Sequence, residues 1–175
     1  VAVERRDEGI CWSLEDPPVY RWEPLERDFQ HYLPMVWACD KNATWEKEGK
    51  EYLAEIDHLL APAECVAIKA AEITNGIDED EVKLKNLALF IQNELTYKAI
   101  AFGRRSWIPN PPDKILQNQY GDCKDFALML HLLLKEAGIV SYLTLVNTNG
   151  PVQENLPSSD QFNHVIVAVP SGDGY

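Results

Sequence analysis

Residues Cys123 to about Ala137 carry the most apolar helical pattern in the chain, and a helix of that kind leaves few choices for the fold. Phe126, Ala127, Leu130, Leu133, Leu134 and Ala137 recur at helical spacing as one stripe. Leu128, Met129 and Leu132 fill its flanks. A helix apolar on most sides is buried on most sides, so other layers must cover it. Gly138 is placed to end it. The stretch ahead of it, "QYGDCKD" at 119–125, is polar. The chain therefore passes from a tight turn straight into the buried helix, with Cys123 at the junction.

The covering layers can be read on either side. "VSYLTLVN" (140–147) and "FNHVIVAV" (162–169) read as strands, the second apolar on both faces and so expected to be central. The polar loop between them, "TNGPVQENLPSSDQ", has a length that usually signals function or mobility. Upstream, Thr44 can cap a helix running to about Leu60, with Tyr52, Ile56, Leu59 and Leu60 as its buried stripe. Pro62 suits the first turn of a second helix, which "NG" at 75–76 ends. Asp78 can cap a third, with Leu84, Leu87, Ala88, Ile91 and Leu95 on its buried face. "FGRRSWIPNPPDK" (102–114) reads as a loop, because three prolines deny it regular backbone bonding. Residues 1–44, rich in Pro and Trp, read as extended, irregular chain, the remnant of a preceding β domain.

Charge narrows the partners. The 175 residues carry a net charge of −12, which argues against nucleic acid and anionic membrane surfaces. The longest apolar run, 126–134, is interrupted by His131 and too short to span a bilayer. With 46% hydrophobic residues the chain can build an ordinary core without disulfides. Val1 in place of an initiator Met suggests a processed chain or an excised fragment. Cys11, Cys39, Cys65 and Cys123 have no metal-binding or redox-pair spacing, so no metal or cofactor is expected. Pairing of Cys11 with Cys39 stays open, Cys65 suits a small buried hydrophobe, and "NAT" at 42–44 matches a weak glycosylation pattern.

Cys123 is the residue with chemistry. A thiol in the first turn of a helix feels the positive end of the helix dipole, which favours the reactive thiolate. Gly121 permits the turn ahead of it; Asp122 and Asp125 oppose the thiolate, and Lys124 offsets them in part. A histidine partner would settle the balance. His131 lies about 12 Å along the same helix and cannot reach. His31 and His58 have no supporting signal, whereas His164 sits on the apolar second strand, where its ring needs a partner. Cysteines at helix starts more often serve packing, and strand histidines are more often satisfied core residues. The residues alone leave a Cys/His thiol site and an inert core equally open.

"YGDCKDFALMLHLLLKEAGI" and "FNHVIVAV" resemble the nucleophile helix and histidine strand of the bacterial transglutaminase-like superfamily. "IQNELTYKAIAFG" and "WIPNPPDKIL" are similar to its lead-in helix and active-site loop, so the resemblance covers about 78–175. It implies an α+β, papain-like core with the nucleophile at the N-terminus of a buried helix packed on an antiparallel sheet. It also implies a division into an N-terminal segment, 1–44, and a cysteine domain, 45–175, whose last strands lie beyond Tyr175. Cys123 would be the nucleophile and His164 the general base and acid. Gln117, six residues before the nucleophile, stands where papain-like enzymes place a side-chain oxyanion donor. Trp107 could line the acyl groove. The acid that orients the histidine belongs on the strand after 175, and Asp173 is a poor substitute. The implied reaction is acyl transfer from a protein or peptide amide through a thioester, to water or to an amine. The competing implication is a binding or scaffold module on the same fold, impaired in turnover. The setting implied is extracytoplasmic in a bacterium.

Overall fold

The apolar stretch is a helix, and the rest of the fold is arranged around it. The computed structural model describes residues 2–6, 9–17, 19, 21, 23, 35–99, 107–172 and 174. Along them run β1 (Ala2–Arg6), β2 (Gly9–Ser13), α1 (Trp45–Ile56) with a 3₁₀ turn at Asp57–Leu59, α2 (Glu64–Thr74) and α3 (Asp80–Glu94). Then come β3 (Thr96–Tyr97), α4 (Pro112–Asn118), β4 (Tyr120–Gly121), α5 (Cys123–Glu136), β5 (Tyr142–Val146), a 3₁₀ turn at Ser159–Gln161 and β6 (His164–Ala168).

Leu128, Met129, Leu133 and Leu134 of α5 are fully buried. They meet Val66 and Ala70 of α2 and Leu87 and Ile91 of α3, while Leu143 of β5 and Val167 of β6 pack on the same core. The central helix thus lies between helices and an antiparallel strand pair, the α+β arrangement expected of a papain-like core. Ile115 of α4 and Ile56 and Leu59 beside α1 join it. Gly138, at φ 78°, turns the chain out of α5.

Several boundaries differ from the sequence reading. Thr44 does cap α1, its hydroxyl accepting from Lys47 N–H at 3.2 Å, but the α-helix ends at Ile56 and tightens into the 3₁₀ turn. α2 starts at Glu64, so Pro62 stands before it, and α3 starts at Asp80 with Glu79 rather than Asp78 at the cap. Pro112, assigned to a loop, opens α4, where a residue without an N–H costs nothing. Within the N-terminal segment, β1 and β2 pair antiparallel and largely exposed, with Val3 opposite Trp12. β6 pairs with β5, Val146 opposite His164, and among the described residues it has no strand on its other edge. Ile166 is exposed where a sheet covered on both faces would bury it. Among the described residues no helix is long and apolar enough to cross a membrane. Cys11 and Cys39 are both free thiols. His31 lies outside the described residues.

Candidate active site

The tip of α5 is built by its own sequence. Asp122 is the N-cap, in extended backbone, and stands in a capping-box arrangement with Asp125. The Asp122 N–H donates to Asp125 Oδ2 at 3.2 Å. Lys124 is buried and ion-paired to Asp122 Oδ2, whereas Asp122 Oδ1 is buried without a hydrogen-bond partner. The two aspartates flanking Cys123 are therefore structural groups with partners, not the free opposing charges the sequence suggested.

Gly121 is required for a different reason from the one expected. Its φ is not positive, so no turn depends on it. A Cβ built there would stand 2.6 Å from Asp125 Cβ and 2.9 Å from Asp125 Oδ2. What matters is close approach of β4 to the first turn of α5.

Cys123, half-buried, and His164, half-buried at the start of β6, line one cavity of about 260 Å³. Tyr52, Trp107, Leu145 and Phe162 complete most of its wall. No carboxylate among the described residues lines it, and Asp173 falls outside them. Gln117 is not brought there. It is exposed on α4, and its side-chain oxygen accepts from Lys114 Nζ at 3.0 Å. His131 is accounted for by the core: its Nδ1 lies 2.9 Å from Ser141 Oγ. Burial, and then nearby Lys135, hold that imidazole below its usual range. His58 sits exposed on the 3₁₀ turn after α1.

Tyr97, more than half exposed and not among the residues that wall this cavity, is brought near the tip of α5 by a pairing that the sequence did not reveal. β3 pairs parallel with β4, Tyr97 opposite Gly121, held by Thr96 N–H to Gln119 O and Lys98 N–H to Gly121 O, each 2.8 Å. The Tyr97 ring meets Phe126 edge-on, with centroids 5.6 Å apart, one turn beyond Cys123. Partial burial, and then charge on the Cys123 sulfur, hold its phenol above the usual range, while the Cys123 N–H pulls the other way. The hydroxyl thus stays protonated at neutral pH. Two-residue strands have no readable period, so only the pairing exposes this tyrosine.

The loop between β5 and β6 is tied down rather than free. Buried Gln161 donates from Nε2 to Leu156 O at 2.6 Å and accepts from Gln153 N–H at 2.7 Å. Trp45 Nε1 donates to Glu154 O at 2.8 Å, and Ser159 N–H donates to Glu48 Oε2 at 2.8 Å. These bonds press the loop onto α1 and create a second cavity of about 440 Å³. Glu48, Glu51, Glu55 and Asp160 line it, and it shares Tyr52 and Trp107 with the first. Among the described residues no cluster of three or more His, Cys, Asp or Glu is arranged to hold a metal ion.

A family model described as the transglutaminase-like superfamily matches residues 68–175. No curated protein matches the chain. A crystal structure from Parabacteroides distasonis, described as that of a "putative protease", superposes with a TM-score of 0.58 at 22% identity. The match covers 68% of this chain and 24% of that one, so the chain spans about a quarter of its neighbour's length. At that identity the likeness speaks for the fold.

Proposed function

The chain belongs to the transglutaminase-like superfamily, and on that premise we propose that it is a thiol enzyme transferring acyl groups from protein or peptide amides through a thioester on Cys123. The observation that supports the reading is the shared cavity, whose wall includes both the helix-tip cysteine and the strand histidine. His164 takes the thiol proton, and the sulfur attacks the amide carbonyl. The negative oxygen that forms is met by the backbone N–H of Cys123, in the first turn of α5. His164 then returns the proton to the leaving amine. Water or a second amine attacks the thioester, His164 again takes its proton, and the acyl group leaves with the thiol restored. The protease description of the Parabacteroides protein supports peptide amides as the acyl source. Incubation with a peptide amide, with and without a primary amine, tests the reading. Released acid or amide-exchanged product supports it, and no turnover of any acyl donor contradicts it.

Tyr97 takes the role that spacing gave to Gln117. β3 pairs Tyr97 with Gly121, two residues before Cys123, and in this reading its hydroxyl donates to the same oxyanion. Tyr97→Phe is expected to lower kcat about 10²-fold with KM little changed. Gln117→Ala should stay within about twofold, since its side chain faces solvent on α4. The reverse order in steady-state kinetics would restore the glutamine.

The acidic cavity beside Tyr52 and Trp107 favours substrates with a cationic side chain near the acyl group. A lysine-bearing peptide is expected to exceed its glutamate counterpart in kcat/KM by about tenfold at low salt. The gap should shrink as ionic strength rises, because Glu51, Glu55 and Asp160 are exposed to solvent. Equal rates in 20–200 mM salt, as a rough range, would remove this preference.

A further inference from the structure

Asp125 is fully buried, yet it does more than cap its helix. Its Oδ1 accepts from the backbone N–H of Asn110 at 2.6 Å, and its Oδ2 accepts from Asn110 Nδ2 at 3.2 Å. The same Oδ2 accepts from the Asp122 N–H, also at 3.2 Å. One carboxylate thus gathers donors from the tip of α5 and from the segment 107–110 that precedes α4. Among the described residues little else holds the backbone of that segment. Pro109 offers no N–H, Pro111 is the cap of α4, and the Trp107 carbonyl accepts from the Tyr52 hydroxyl at a long 3.4 Å. Trp107 is itself a wall of the cavity that holds Cys123 and His164. Gly121, with no room for a side chain against Asp125, closes the interlock from the β4 side.

A buried carboxylate is costly unless several donors meet it, and here the donors come from two separate segments. The charge is useful where two separate segments must be held at one spacing. We propose that Asp125 is a positioning residue of the acyl-transfer site, locking the Trp107 wall of the groove in register with the Cys123 amide and sulfur. The proposal rests on the reading of Cys123 as nucleophile. Loss of the lock shifts the wall relative to the sulfur, and displacements near 1 Å can cost up to about 10²-fold in rate.

The test uses Asp125→Asn, which keeps the shape but turns one acceptor into a donor facing a donor. Two reagents read the result. Iodoacetamide needs only the thiol, whereas a peptide acyl donor needs the groove. Alkylation of Cys123 is expected to stay within about threefold of the unaltered protein, and acylation by the peptide to fall more than tenfold. Asn110→Asp, which sets two carboxylates face to face, should lose as much, and the exchanged pair Asn110→Asp with Asp125→Asn should recover part of it. If Asp125→Asn does not fold, Asn110→Ala carries the test, with an acylation loss of about threefold or more at unchanged alkylation. Acylation at the original rate in a folded Asp125→Asn or Asn110→Ala protein overturns the proposal, as does an equal loss in both reagents. Failure of the underlying reading looks different: the unaltered protein would then show no acylation at Cys123 at all.

Discussion

Replacing Cys123 with alanine is expected to lower acyl transfer by about 10⁴-fold or more while leaving the protein folded. The size of the effect follows from the cavity. Cys123 is the only thiol among its lining residues, so no neighbour can form the thioester in its place. The small effect on folding follows from position: Cys123 is the first residue of α5, half-buried, and the core side chains of that helix begin beyond it. His164→Ala should lose about 10³-fold, since a base is removed but the sulfur and the oxyanion donors remain. Parallel turnover and urea-unfolding measurements on the three proteins check this. Activity within tenfold of the original in the alanine variant would remove Cys123 from the chemistry.

Gly121→Ala is expected to be the most destabilising small substitution near the site, by about 3 kcal/mol. The atom met by the new methyl group, Asp125 Cβ at 2.6 Å, is fixed by the helix backbone and cannot swing away. Either β4 or the start of α5 must move, and with it the Gly121 carbonyl that accepts from Lys98 N–H and keeps Tyr97 in place. Activity should therefore fall together with the urea midpoint. Gly49→Ala is the contrasting case. It lies inside α1 with nothing within 4 Å of a built Cβ, so the exchange should stabilise by about 0.5–1 kcal/mol. A Gly121→Ala midpoint equal to that of the unaltered protein would show that the close approach is not tight.

The parts of the fold that were legible in the sequence are those where one physical signal acts locally. The stripe of Phe126, Leu130, Leu133 and Leu134 specifies a buried helix because its period and apolarity agree. That placed Cys123 at a helix tip and His164 on a strand before any tertiary contact was known. Pairing across the chain left no such mark. Thr96–Tyr97 and Tyr120–Gly121 are too short for alternation to register, so the parallel bridge that brings Tyr97 to Cys123 could not be read. Gln117 failed for the opposite reason: its spacing suited the papain-like pattern, but the residues from Pro112 wind into α4 and turn it to solvent. Asp122 and Asp125 read in the sequence only as charges opposing a thiolate, and the structure makes them a capping box. The bond from Asp125 to Asn110 spans fifteen residues and leaves no local mark.

The central claim, a Cys123–His164 acyl-transfer pair, is tested most directly by alkylating the nucleophile from within the acyl groove. A peptide acyloxymethyl ketone, which alkylates a nucleophile seated in an acyl groove, would be added in slight excess and the modified residue mapped by peptide mass spectrometry. The account predicts one adduct per chain, on Cys123, formed at least tenfold more slowly in His164→Ala. Modification of Cys11, Cys39 or Cys65 in preference to Cys123, or a Cys123 rate indifferent to His164, would contradict it.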